Sequence, residues 1–281
     1  MSKDCFFLKN MIYFKKMERG GEPVVTKYPI ILAHGIFMKP RFFRVFKHIQ
    51  RKLNKAGYHV YIADTDGVGD IENNSLQLKE QIEQILDKEG IDKINIIAHS
   101  KGGLESVYMI KNLEMGQRIA SLTTLCTPYK GSAVATFVNR LPSFLLTAFV
   151  FCCNIFYRVL GDKKPNFRRA LKELDVSCVS MLDDMEFFKE IYLQSYSCAM
   201  KNAMSDPVLA VSFLISTRDT KDFSDGMVSK SSAQYINYRG DCMDESISHN
   251  EIICYLTRRR KKRKVVEFYL SLCEELAKYG Y

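Results

Sequence analysis

Short apolar runs alternate with amphipathic segments along most of this chain. Five runs have the length and composition of buried strands: Pro29–Ala33, Tyr58–Ala63, Ile94–Ala98, Leu122–Cys126 and Val208–Ile215. Strands that alternate with helices usually build parallel sheets, so the pattern predicts an α/β fold. We expect a mostly parallel central sheet that is flanked by helices on both faces.

Helical spacing is clearest in three segments. Apolar residues recur at helical spacing from Phe42 to Leu53 and from Leu78 to Leu86. Asn74 is the expected N-cap of the second helix, because Gln77 follows three residues later as in a capping box. A last amphipathic helix is expected over Val265–Lys278.

A long apolar segment interrupts the alternation. Leu141–Tyr157 holds 17 consecutive uncharged residues, at the short end of the length that a membrane span requires. Pro142 and Asn154 disfavour a span, so we expect an apolar cap or core helix and keep a transmembrane helix as the alternative.

Composition favours one folded domain in a reducing compartment. Of the 281 residues, 47% are hydrophobic and 26% are charged, which is typical of a globular chain with one sizeable core. The nine cysteines form no C-x-x-C pair, and the adjacent Cys152 and Cys153 suit a disulfide framework poorly. Met1–Tyr13 lacks the uninterrupted apolar stretch of a secretory signal. We therefore expect a single domain over 1–281, free thiols and a cytoplasmic location.

The positive charge is concentrated in one block. The formal net charge is +9, and seven basic residues stand together at Arg258–Lys264. Without them, 34 basic residues face 32 acidic ones, a net charge of only +2. Such a block can bind anionic lipid headgroups or nucleic acid. A solvated loop between two helices is an equally good interpretation.

The segment Ile94–Gly103 (INIIAHSKGG) has the pattern of a nucleophile elbow. An apolar strand leads into a small residue, then Ser100, then two glycines and a helical stretch. Small residues two positions before and after a serine let the backbone turn sharply and present the hydroxyl at the strand end. Ala98 replaces the usual first glycine and is small enough for the turn. An ordinary strand-to-helix turn with a capping serine is the alternative.

The end of the first strand is the expected oxyanion site. The strand runs into His34-Gly35-Ile36, and a glycine there lets the chain turn sharply. We expect the backbone N–H groups of Ile36 and Lys101 to bind a tetrahedral oxyanion.

Elimination among five histidines identifies the expected base. His34 belongs to the oxyanion turn, and His99 is expected to point away from the reaction centre. His48 and His59 belong to an early helix and an early strand. Only His249 comes late in the chain, as the order Ser, Asp, His requires.

Three aspartates follow the expected strand Val208–Ile215. Asp225 begins the turn Asp-Gly-Met-Val and is the preferred carboxylate for orienting the imidazole. Asp219 and Asp222 remain the reserve candidates, with turn capping as their alternative role.

Several segments together resemble the bacterial triacylglycerol lipases of the α/β-hydrolase superfamily. They are YPIILAHGI from Tyr28, AHSKGG from Ala98, LTTLCTPYKGS from Leu122, YLQSY from Tyr192, SDGMVS from Ser224 and SHNE from Ser248. The resemblance covers most of the chain from Tyr28 onwards. It implies the α/β-hydrolase fold, a triad of Ser100, Asp225 and His249, and oxyanion donors at Ile36 and Lys101.

The resemblance also implies a helical lid or cap insertion at about 131–190, which would contain the apolar segment. A mobile lid and a static cap both fit this insertion. Two departures from the family pattern concern Lys101 and Glu251. Lys101 stands where the family usually has an uncharged residue, and either favours negatively charged substrates or faces solvent. Glu251 stands where the family's calcium site uses an aspartate; a calcium ion and other cofactors are not predicted.

These residues predict a serine hydrolase that cleaves carboxylic esters, with acylglycerols or phospholipids as expected substrates. An intracellular carboxylesterase for small soluble esters and a non-catalytic lipid-binding protein on the same fold are the alternatives. Acyl transfer to an acceptor other than water would use the same residues. The expected partners are the ester substrate and an anionic membrane surface that Arg258–Lys264 would contact; nucleic acid is not expected.

Overall fold

Six parallel strands form the central sheet of the protein. The computed structural model describes residues 25–176 and 188–281. The strands are β1 (Ile30–Ala33), β2 (Val60–Ile62), β3 (Ile94–His99), β4 (Ile119–Leu125), β5 (Tyr192–Ser197) and β6 (Tyr238–Asp241). Their order across the sheet is β2-β1-β3-β4-β5-β6. All residues of β1, β3 and β4 are buried, as expected of strands covered on both faces.

Helices cover both faces of this sheet. They are α1 (Pro40–Phe43), α2 (Lys47–Lys55), α3 (Ile71–Glu89), α4 (Lys101–Asn112), α5 (Ala133–Asn139), α6 (Ser143–Val159), α7 (Phe167–Glu173), α8 (Ala210–Thr220), α9 (Lys230–Ala233) and α10 (Arg259–Lys278). On one face, Leu78 of α3 and Val107 of α4 pack with Ile31 of β1. On the other face, Leu53 of α2 and Tyr269 of α10 share a core. The predicted parallel sheet with helices on both faces is confirmed.

The prediction of a strand over Val208–Ile215 is wrong. The segment forms a 3₁₀ turn at Pro207–Leu209 that continues into α8. Asp206 caps the turn, since its carboxylate accepts the Val208 N–H (3.1 Å). The prediction failed because a short run of apolar residues does not distinguish a strand from a helix. The fifth strand of the sheet is instead β5, whose sequence YLQSYS is polar.

Two predicted helices begin or divide at other residues than expected. The N-cap of α3 is Asp70, whose carboxylate accepts the Asn73 N–H (2.9 Å). Asn74 lies inside the helix, not at its cap. The early amphipathic segment is divided into α1 and α2, because Arg44 and Phe46 adopt positive φ angles between them. The division follows backbone turns that periodicity does not reveal.

The basic block is helical, so its interpretation as a loop is wrong. Arg258 is the N-cap of α10, and Arg259–Lys264 form the first turns of that helix. The helix therefore begins six residues earlier than the predicted Val265, and it gives each basic side chain a fixed position around the helix axis.

The apolar segment forms α6, between β4 and β5. In the described part of the chain, no single helix is long and apolar enough to cross a membrane, although α5 and α6 together, bent by 115°, have that length and composition. Within the expected insertion at about 131–190, residues 177–187 lie outside the described residues. Met1–Tyr13, where no secretory signal is expected, also lies outside them. The seven cysteines that the structure describes are all free thiols.

Candidate active site

Ser100 occupies a sharp turn between β3 and α4. Its backbone angles, φ 56° and ψ −131°, lie in a region that non-glycine residues rarely adopt. The Ser100 N–H donates to the Leu125 carbonyl (2.9 Å), and the Thr127 hydroxyl donates to the Ser100 carbonyl (3.0 Å). These bonds hold the serine in a strained conformation at the end of the strand, which is the geometry of a nucleophile elbow.

Glycines make the close packing around Ser100 feasible. A Cβ atom at Gly35 would lie 2.5 Å from the Ser100 Cβ and 2.9 Å from its Oγ. One at Gly102 would lie 2.5 Å from the His34 carbonyl oxygen, and one at Gly103 would collide with the Thr127 side chain. The turn after β1 therefore touches the elbow only because Gly35 and Gly102 have no side chain, while Gly103 leaves room for Thr127 after β4.

Asp225 and His249 form a buried hydrogen-bonded pair. The His249 Nδ1 donates to Oδ2 of Asp225 at 2.7 Å. Oδ1 of the same carboxylate accepts the N–H groups of Met227 (2.9 Å) and Val228 (2.8 Å). The His249 N–H also donates to the Asp225 carbonyl (2.9 Å). Side chain and backbone together fix the carboxylate and the imidazole relative to each other.

The two reserve aspartates lie elsewhere. Asp222 accepts the N–H groups of Phe223 and Ser231, both at 2.7 Å, and so caps a turn. Asp219 is exposed on α8. Neither carboxylate bonds to His249 in the described structure.

His99 does not point away from this pair, contrary to expectation. Its ring packs against the His249 ring, with 4.3 Å between the ring centroids. Burial, reinforced by the nearby His249, lowers the pKa of His99 well below its usual value. His99 is therefore uncharged when it packs against His249. Because Ser100 is the next residue after His99, this contact places the His249 ring beside the elbow.

Cys126 also borders the pair. The Cys126 Sγ, a carboxylate oxygen of Asp225 and a ring nitrogen of His249 lie within 4.8 Å of one another. Among the described residues, this is the only group of three such metal-ligating side chains at that spacing. Burial raises the pKa of the Cys126 thiol well above its usual value. Cys126 and His99 are thus both uncharged at neutral pH. Low polarity around the Asp225–His249 hydrogen bond strengthens it.

The Ser100 hydroxyl makes no hydrogen bond with the described residues. The structure thus brings Asp225 and His249 into contact with each other, and His249 into contact with His99, the residue before Ser100.

Comparisons with known proteins identify proteins that this chain resembles. A family model described as the alpha/beta hydrolase fold matches residues 28–151. Over these residues, the chain resembles that family. It is 33% identical to a triacylglycerol lipase of Pseudarthrobacter phenanthrenivorans over 163 residues, 53% of this chain and 50% of that lipase. The chain therefore spans about half the length of the curated relatives that it matches.

Two solved structures share the α/β-hydrolase fold with this chain. One is the mature form of the Bacillus licheniformis lipase BlEst2, with a TM-score of 0.60 and 18% identity; the match covers 81% of this chain and 86% of that one. The other is the metagenomic carboxyl esterase MGS0156, with a TM-score of 0.61 and 15% identity over 92% of this chain and 76% of that one. The α/β-hydrolase fold expected from the sequence is confirmed.

In this α/β-hydrolase fold, two backbone N–H groups near Ser100 have no backbone acceptor among the residues that the structure describes. Lys101 is the first residue of α4, so its N–H has no acceptor within the helix. The Ile36 N–H makes no hydrogen bond with the described residues, whereas the next N–H, of Phe37, donates to the Gly67 carbonyl (2.7 Å). Ile36 directly follows Gly35, which touches Ser100. Both predicted donors therefore adjoin the serine.

The Lys101 side chain fits neither of its two expected roles. It is 1% exposed and forms a buried ion pair with Glu105, one helical turn later. Oε1 of Glu105 also accepts the Asn74 side-chain amide (2.8 Å). The lysine therefore neither faces solvent nor meets a substrate charge. Its spacing of four residues from Glu105 is the sequence signal that points to this pair.

The residues around Glu251 do not fit a calcium ion. Oε2 of Glu251 accepts the Ser248 N–H (3.0 Å) and the ammonium group of Lys261 (2.6 Å). A lysine cation therefore already neutralises the carboxylate that the family pattern would give to calcium.

The C-terminal end of α6 and the residues just after it are fastened to the loops after β1 and β2. The Tyr157 hydroxyl donates to the Phe37 carbonyl (2.6 Å). The Asp162 carboxylate accepts the N–H groups of Gly67 and Val68, at 2.9 and 3.0 Å. These bonds favour the static-cap interpretation for this end of the insertion.

Proposed function

We propose that this protein hydrolyses carboxylic esters with Ser100 as nucleophile, His249 as base and Asp225 as the carboxylate that orients it. The observation that carries the proposal is the 2.7 Å bond between Asp225 and His249, whose ring packs against His99, the residue before Ser100 in its strained elbow. A serine needs such a neighbouring base, because its own hydroxyl is a weak nucleophile.

The reaction would proceed in two halves. His249 Nε2 takes the proton of the Ser100 hydroxyl while Oγ attacks the ester carbonyl carbon. The N–H groups of Ile36 and Lys101 bind the resulting oxyanion. The carbon–oxygen bond to the alcohol breaks, and the imidazolium gives its proton to the departing oxygen. Water, deprotonated by His249, then releases the acid and restores Ser100.

We further propose that lipid esters are the substrates. The exposed side of α6 is rich in apolar side chains, among them Phe144, Phe151, Phe156 and Val159. Exposed apolar patches of this kind are characteristic of surfaces that meet lipid. The relatives named triacylglycerol lipase support the same substrate class.

Hydrolysis of p-nitrophenyl esters from acetate to palmitate tests the proposal. Replacing Ser100 by alanine is expected to lower kcat by about 10⁶-fold, to the assay background, because the attacking atom is removed. Ser231→Ala is the matched control, since Ser231 is exposed and lies outside the site.

The chain-length profile separates the alternatives. Highest kcat/KM on long acyl chains supports a lipase, and cleavage of short esters alone supports a carboxylesterase. A folded wild-type protein that cleaves none of the esters would contradict the proposal and favour a lipid-binding protein.

A further inference from the structure

A cationic groove lies between α2 and α10, on the opposite face of the sheet from α3 and α4. The cavity has a volume of about 820 Å³. Six cationic side chains and one carboxylate, that of Glu267, line it. The cations are Arg51, Lys52 and Lys55 from α2, and Arg259, Lys262 and Arg263 from α10. Its apolar floor includes Val266 and Leu270.

Because the basic block is helical, its side chains point in different directions. Some of its cations form ion pairs with carboxylates, and others do not. Lys261 and Lys264 lie off the groove and pair with Glu251 (2.6 Å) and Glu245 (2.5 Å). Arg259 and Lys262, which face the groove, have no carboxylate partner among the described residues. Arg263 has a 3.6 Å contact with Glu267.

The positive charges on the α2 side of the groove also lack acidic partners among the described residues. Arg51, Lys52 and Lys55 form no ion pair with the residues that the structure describes. Burial lowers the pKa of His48, and Arg51 and Lys262 lower it further from the two sides of the groove. Positive charge from both helices is thus concentrated in one cavity, where an anion would be attracted most strongly.

Exposed apolar side chains lie in the two segments that lead into α2 and α10, the helices that form the groove. Phe42 (49% exposed) immediately precedes the turn into α2, and Leu256 (63% exposed) precedes α10. Their neighbours Phe43 and Tyr255 are in ring contact, so the two segments adjoin. Cations with apolar side chains at their edge form the pattern of a membrane-binding surface.

The starts of α2 and α10 are linked to the segment that carries His249. The Phe46 N–H, at the start of α2, donates to the Ile253 carbonyl (3.2 Å). Lys261, in the first turns of α10, pairs with Glu251. A membrane that contacts the groove would therefore lie close to the candidate site.

We propose that the α2–α10 groove binds the phosphate-bearing headgroups of anionic phospholipids and holds the protein on an anionic membrane surface. Nucleic acid would also meet the cations, but it gains nothing from Phe42 and Leu256. The binding does not require hydrolysis. Only its benefit, delivery of lipid esters to Ser100, rests on the proposed function.

Vesicle sedimentation tests the groove directly, with Ser100→Ala in every protein so that no lipid is cleaved. The vesicles are phosphatidylcholine alone, or two-thirds phosphatidylcholine with one-third phosphatidylglycerol. Lys52→Gln/Lys262→Gln removes one cation from each wall while keeping good helix formers. Each basic residue near an anionic surface contributes about fivefold to binding, so the double variant is expected to bind about thirtyfold less tightly.

Lys88→Gln/Lys111→Gln is the matched control, because it removes the same charge from α3 and α4 on the other face. The proposal predicts that the control binds the anionic vesicles like the parent and that none of the proteins binds phosphatidylcholine alone. Equal loss in both double variants, or no binding by the parent, would overturn it. So would binding to duplex DNA or RNA that the groove variant loses while its vesicle binding is unchanged.

Discussion

Replacing Asp225 by asparagine is expected to lower kcat for ester hydrolysis by about 10⁴-fold. The carboxylate accepts the His249 Nδ1–H through Oδ2, and an amide nitrogen at that position cannot accept it. The imidazole would then adopt the wrong tautomer for removing a proton from Ser100. Steady-state kinetics on a p-nitrophenyl ester measure the loss.

The asparagine variant is expected to fold. Its side-chain oxygen still accepts the N–H groups of Met227 and Val228, as Oδ1 does in the parent. Asp219→Asn and Asp222→Asn make the same chemical change at the reserve positions and are expected to keep near-parent activity. The assignment fails if Asp222→Asn loses activity and Asp225→Asn does not.

The second large effect concerns the stability of the fold. Lys101→Met leaves the Glu105 carboxylate buried without its counter-ion, which is expected to lower the free energy of unfolding by about 3–5 kcal/mol. Among the described residues, the Glu105 carboxylate then keeps only the hydrogen bond from Asn74 (2.8 Å) to compensate. Urea denaturation, with a check that the m-value is unchanged, measures the difference.

A double variant separates the lost charge partner from lost packing. Lys101→Met/Glu105→Gln has no buried charge, and its amide oxygen can still accept the Asn74 hydrogen bond. Most of the lost stability should therefore return. A double variant no more stable than Lys101→Met would show that the ion pair is not the cause.

The four predicted strands that match the sheet are those whose own residues are apolar. In contrast, β5 has the sequence YLQSYS. It was not predicted as a strand because it is polar, although it is almost completely buried. The structure satisfies those polar groups across the sheet: the Gln194 amide donates to the Thr123 hydroxyl (3.0 Å), and the Ser197 hydroxyl to Asp241 (2.5 Å). Hydrogen bonds to other strands depend on the tertiary fold and leave no local pattern in the sequence.

The opposite error arose at Val208–Ile215. Val208, Val211 and Leu214 are exposed, so an apolar run there does not indicate burial. Local sequence also left the choice between helix and strand open, because both elements accommodate a mostly apolar run of eight residues.

The candidate site was more predictable than its surroundings. Ser100 follows from local constraints on one turn, and His249 from chain order, both of which are visible in sequence. The orientation of His99 and the burial of Lys101 depend on which residues pack against them. For His99 that residue is His249, which is distant in the chain. For Lys101 the partner, Glu105, is only four residues away, so its spacing could have indicated the pair.

The most direct test is to identify the residue that a fluorophosphonate labels. These reagents are attacked by activated serines, and peptide mass spectrometry locates the adduct. We predict one adduct, on Ser100, with labelling strongly slowed in His249→Ala because the base is missing. A folded protein that remains unlabelled, or that carries its adduct on another serine, would contradict the account.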